Sequence, residues 1–75
     1  MGSERRTRLS PEQRRAQLVA LGVAFLADRP LDDLTIEELS DRAQVSRALI
    51  FHYFGSRQGL HQAVVARAGD ALLEA

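Results

Sequence analysis

Four hydroxyl residues, Ser10, Thr35, Ser46 and Ser56, each stand at the head of a stretch with helical spacing of apolar residues. A Ser or Thr side chain accepts a free amide of the first helical turn, so it marks where a helix begins. Ser10-Pro11-Glu12-Gln13 combines a cap, a proline suited to the first helical position and a glutamine where a capping box needs one. Leu18, Leu21, Gly22 and Phe25 follow on one face, with Val19, Val23 and Leu26 as a second stripe beside them. Pro30 disfavours helix at the residue before it, which predicts a stop near Arg29. Leu31 to Leu34 reads as a short connection. Thr35, with Glu38 three residues on, predicts a second capping box, and Ile36, Leu39 and Ala43 supply the inward face of that helix. This helix is expected to end around Gln44. Val45-Ser46 is a tight turn into a third helix, which Ile50 and Phe54 point into the core and Gly55 closes. Ser56 opens a fourth, with Leu60, Ala63, Val64 and Ala71 on its buried side. No segment shows the alternation of a strand, so the expected class is all-α, a small helical bundle.

A chain of 75 residues makes one domain. A domain of this size buries only roughly 60% of its unfolded surface, so its stability is marginal. The absence of cysteine excludes disulfides and thiolate metal sites and fits a cytoplasmic location. The longest apolar run, Leu18 to Ala27, falls well short of the ~18 residues that span a bilayer. Net charge is zero, but it is segregated. Residues 1–15 carry five Arg against two acids, residues 28–41 one Arg against six acids, and residues 42–67 four Arg with no acid at all. The local footprint, not the total, is what meets phosphates.

Thr35 to Phe54 has the layout of a helix-turn-helix: a short helix, a tight turn and a second short helix. In such a unit the second helix lies in the major groove while the first crosses the backbone. At about 100° per residue, placing Ile50 and Phe54 inward turns Ala48, Leu49 and His52 outward, with Arg47 and Phe51 flanking one side and Tyr53 the other. Small Ala48 permits close approach, and an apolar Leu49 suits a thymine methyl. A single exposed leucine is also ordinary on a protein surface.

The stretch from Thr35 through Ile-Glu-Glu-Leu-Ser-Asp-Arg-Ala-Gln-Val-Ser-Arg-Ala-Leu-Ile-Phe-His-Tyr-Phe-Gly-Ser to Arg57 resembles the TetR family of bacterial transcription regulators. The likeness covers residues 10 to about 68, and more than a dozen positions match in spacing. It implies a homeodomain-like three-helix core plus the start of a fourth helix, with the helix-turn-helix at 35–54 and the recognition helix at 46–54. It also implies sequence-specific binding of double-stranded DNA at a near-palindromic operator, usually for repression. Position by position, Thr35 matches a phosphate contact at the start of the second helix, and Arg47 a Lys or Arg used on phosphate or base. Ala48 and Leu49 match positions near base edges, His52 and Tyr53 phosphate contacts, and Arg57 a Lys that grips the backbone at the fourth helix. A helix N-terminus favours phosphate there on physical grounds too.

Three positions depart from the pattern. Gln44 replaces the usual turn Gly, so either the turn differs or Gln44 takes a positive φ at some cost. Phe51 replaces the usual Tyr, which removes one hydroxyl-to-phosphate bond. Glu37 stands where a basic or polar residue often meets DNA, and a carboxylate repels phosphate unless it accepts from a cytosine amine. The likeness further implies a larger carboxy-terminal domain that dimerises and binds a small-molecule inducer. On that reading residues 69–75 begin the connection to it, and the chain is an amino-terminal piece.

Other readings bound the function. Residues 1–9 form a basic, aperiodic arm, and its Arg5, Arg6 and Arg8 suit either a minor groove or plain solvation. His52 and His61 lack the companions of a metal site, and no cofactor motif, nucleophile elbow or phosphate-cradling glycine loop is present, so no enzyme is expected. The acidic cluster Asp28 to Asp41 reads as a solvated face. Leu18 to Ala27 and Leu72-Leu73 serve either core packing or contact with another domain. The alternative function is a small helical protein-interaction module that keeps the fold without binding DNA.

Overall fold

A computed structural model describes residues 9–74, with side chains through residue 70. It contains four α-helices: α1 (Pro11–Phe25), α2 (Ile36–Ala43), α3 (Arg47–Phe54) and α4 (Arg57–Glu74), with one turn of 3-10 helix at Leu31–Asp33. No strand occurs among the described residues. The Arg5-Arg6-Arg8 arm and the side chains of Ala71, Leu72 and Leu73 lie outside the described residues.

The hydroxyl caps act as read. Ser10 forms the full reciprocal box: its Oγ accepts the Gln13 amide at 3.1 Å, and Gln13 Oε1 accepts the Ser10 amide at 2.9 Å. Ser46 Oγ accepts the Leu49 amide, and Ser56 Oγ the Gly59 amide. Thr35 also caps, accepting the Glu38 amide at 3.0 Å, but the expected box is only half made. The Glu38 carboxylate turns instead to Arg42 Nε at 2.7 Å, one helical turn on, where a full opposite charge outbids a neutral amide. The end of α1 is a second correction. The helix closes at Phe25, four residues before Arg29, because the amides of Leu26, Ala27 and Asp28 bond three residues back and tighten the chain into turns ahead of Pro30.

Leu18, Phe25, Leu34, Leu39, Ile50, Leu60 and Val64 are essentially inaccessible, and all four helices contribute to this core. Buried Gly22 sets the approach of α1 to α4: a Cβ there would lie 2.5 Å from Val64 Cγ2. Within Leu18 to Ala27 the exposed positions are alanines, while the larger side chains are buried or half-buried. Core packing therefore accounts for the richness of that run. Leu34, read as connection, is core: the 3-10 turn, closed by the Leu34 amide on the Leu31 carbonyl, swings it inward. Ala63 is half-buried beside Leu60 and Val64. Phe25 is covered by two guanidinium groups, those of Arg42 and Arg29, at 4.9 and 5.4 Å from its ring centre. Arg29 and Arg42 also pair with Asp33 and Glu38, so part of the acidic cluster is neutralised locally rather than simply solvated.

Gln44 settles its own alternative. It ends α2 at φ 60°, ψ 43°, the left-handed region. The Val45 amide reaches the Ser40 carbonyl and the Gln44 amide the Asp41 carbonyl, the two bonds of a Schellman cap. The Gln44 side chain adds Nε2 to the Asp41 carbonyl at 2.9 Å. A side chain in this region costs about 1–2 kcal/mol, and glycine removes that at a smaller unfolded-state cost. Gln44→Gly is expected to stabilise the domain by about 0.5–1 kcal/mol, a rise of roughly 2–8 °C in Tm by thermal unfolding. A lower Tm would show that the bond to Asp41 outweighs the strain.

Candidate nucleic-acid interface

The turn between α2 and α3 is short because the Schellman cap reverses the chain and Ser46 starts the next helix at once. This pins α3, and burial of Ile50 at 0% exposure fixes its rotation. Arg47, Ala48 and His52 are exposed, as read. Leu49 is half-buried, not fully outward, and Phe54 is half-buried, not core. The two shifts have the same sense about the buried Ile50, with the Leu49 and Tyr53 flank turned partly inward and Phe54 turned partly outward, still packed against the core, where the Arg15 guanidinium covers its ring at 5.3 Å. Tyr53, also half-buried, packs edge-on to His52 with ring centres 5.1 Å apart. Three i,i+4 rows thus run along α3: Ala48 and His52 at the crest, Leu49 and Tyr53 on one flank, Arg47 and Phe51 on the other.

Thr35 is exposed at the start of α2. Its Oγ1 accepts the Glu38 amide, which leaves the hydroxyl proton free to donate. Arg57 is exposed at the first position of α4, yet its Nη2 donates to the Asp32 carbonyl at 2.5 Å. Four further N–H groups of its planar fork remain for an anion.

Sequence reading missed a partner of this contact. His61, one turn further along α4, places Nε2 2.6 Å from the Leu34 carbonyl. The two bonds span 25 and 27 residues, whereas the other side-chain hydrogen bonds described span three or four. Together they tie α4 to the backbone just before Thr35, so they position the first helix of the helix-turn-helix. No local pattern announces a bond across such a separation.

The exposed arginines of this half are Arg42, which pairs with Glu38, and Arg47, Arg57 and Arg67. Exposed Glu37 sits in the first turn of α2. Among the described residues no group of three or more potential ligands is arranged to hold a metal.

Residues 18–64, more than half the chain, match the bacterial regulatory proteins of the tetR family. The chain belongs to the TetR family. Its relatives include the HTH-type transcriptional activator FasR of Mycolicibacterium smegmatis, 33% identical over 96% of this chain and 33% of that protein. The HTH-type transcriptional regulator BetI 1 of Chromohalobacter salexigens is 36% identical over 79% of this chain and 31% of its own length. BetI of Burkholderia thailandensis is 33% identical over 72% of this chain and 28% of its own. The chain therefore spans about a third of the curated relatives it matches. No solved structure matches it. The helical architecture and the family together make this a TetR-type DNA-binding helix-turn-helix domain. The interaction-module alternative is not favoured. No described helix is long and apolar enough to cross a membrane.

Proposed function

We propose that this TetR-type domain recognises a near-palindromic operator in the bacterial cytoplasm by seating residues 46–54 in the major groove. The observation that carries the reading is the exposed row of α3 on a segment, residues 42–67, that has four Arg and no acid. In this reading Ala48 and Leu49 approach base edges. Thr35, Arg47, His52, Tyr53 and Arg57 contact phosphate, with Arg47 also within reach of a base. The regulator as a whole acts as a homodimer through sequence beyond this domain, which also takes a small-molecule inducer. Repression is the sense proposed; FasR, a relative, bears the name of an activator, and the same groove contact serves either sense.

Titration against duplex DNA at two salt concentrations tests the binding. Arg57→Ala is expected to weaken binding about equally on all sequences and to lower the salt slope by roughly one unit, as loss of one phosphate contact does. His61→Leu removes the neighbouring tether without removing a phosphate contact, so affinity falls while the slope holds. An unchanged slope in Arg57→Ala would reduce Arg57 to a tether like His61. Salt-independent association of the unaltered chain would sink the phosphate assignments together.

A further inference from the structure

We infer that this recognition helix reads thymine methyl groups, with Phe51 as a specificity-determining residue alongside Leu49; the inference rests on the groove reading above. Phe51 is 49% exposed, one of three large apolar side chains so exposed among the described residues, with Leu9 and Val65. Unlike those two, it lies on α3. Lacking a hydroxyl, it offers phosphate nothing, so its place on this helix needs another kind of partner. The face around it narrows the choice. From Arg47 to Tyr53 the exposed and half-exposed side chains are Arg, Ala, Leu, Phe, His and Tyr. None is the Asn or Gln that pairs two-pronged with adenine, nor the carboxylate that accepts from cytosine. The apolar area is instead divided between the two flanks, Leu49 on one and Phe51 on the other, about 160° apart across the Ala48 crest at 100° per residue.

The thymine C5-methyl is the apolar group that the major groove presents, and it projects at the groove edge, near its own strand's backbone. A flank position is where a side chain meets that edge. Arg47, one turn before Phe51 on the same row, puts a cation beside the backbone the methyl adjoins. Two apolar flanks therefore suit methyls on opposite strands, and the ligand class is A·T-rich duplex with thymine on both strands. Phe51 thus exchanges the family's hydroxyl contact, which is blind to sequence, for one that senses a single carbon.

Alternating poly(dA-dT) and poly(dA-dU) duplexes differ only in that methyl and serve as probes for the chain at low salt. The chain is expected to prefer the methylated polymer at least fourfold, the worth of about one buried methyl. Phe51→Ala and Leu49→Ala should each shrink the preference, and the double variant should abolish it, with the salt slope unchanged throughout. Phe51→Tyr keeps the ring and should keep the preference. Circular dichroism confirms that each variant retains its helices. Equal affinity of the unaltered chain for the two polymers overturns the inference, as does a preference that survives in the double variant, since DNA shape would then be its source. Binding to both polymers without preference leaves the DNA-binding reading intact; failure to bind any duplex, poly(dG-dC) included, removes that reading and this inference with it.

Discussion

Joining two copies of this domain through a parallel coiled coil is expected to tighten binding to a palindromic duplex by about 10²- to 10⁴-fold over the single chain, provided the linker spans the half-sites. The reason is a shortage of contacts. Strong salt-dependent binding takes about six to ten phosphate contacts, and the candidates here are Thr35, Arg47, His52, Tyr53 and Arg57. Phe51 has no hydroxyl to add, and Arg57 already gives one N–H to the Asp32 carbonyl. Helix-turn-helix proteins make up the shortage with a second recognition helix about 34–36 Å away, one turn of duplex along. Once the first domain is docked, the second binds at an effective concentration near millimolar, without any new kind of contact. Light scattering on the single chain should show a monomer, and parallel titrations of single and joined forms give the ratio. Tight, specific binding by a proven monomer would show that contacts are undercounted, and would point to Arg5, Arg6 and Arg8 in the amino-terminal arm.

Two glycines of α4 are expected to respond in opposite directions to the same substitution. Gly59 lies in the first turn, where an added Cβ would collide with the backbone carbonyl oxygen of Phe54. That carbonyl belongs to the last turn of α3 and has no rotamer to escape into. Accommodating the methyl means moving the start of α4, and with it the Ser56 cap and the Arg57 contact to Asp32. Overpacking of this kind costs about 1–3 kcal/mol, and here the obstacle is rigid, so the upper part of that range applies. Better helix propensity returns only about 1 kcal/mol. Gly69, on the same helix, faces open space, and Gly69→Ala should keep the whole propensity gain. Thermal unfolding should therefore place Gly59→Ala roughly 5–15 °C below the unaltered chain and Gly69→Ala a few degrees above it. A Gly59→Ala protein as stable as its parent would mean that α3 and α4 do not meet as closely as the structure has them.

The caps at Ser10, Thr35, Ser46 and Ser56, the inward setting of Ile50 and the end of α2 at Gln44 were all legible in the order of residues, while the left-handed turn at Gln44 stood as one of two choices. Each is decided within one helical turn, because a cap hydroxyl, the amide it accepts and the carbonyls of a Schellman turn lie three to five residues apart and meet wherever the helix forms. Periodicity then set the outer face of α3, since one buried residue on a regular helix orients its neighbours. Where local rules allowed two partners, only the folded chain chose: Glu38 left the amide of Thr35 for the charge of Arg42, a side chain also held over the buried ring of Phe25. Leu34 became core, Phe54 moved to the edge under Arg15, and Phe51 was left half in solvent, because those outcomes depend on where α1 and α4 close over the helix-turn-helix. The bonds from Arg57 and His61 to the backbone before Thr35 depend on the same closure. Contacts across 25 or 27 residues have no spacing rule, since the intervening chain can loop in many ways and only the packing of Leu60 and Val64 into the shared core selects one.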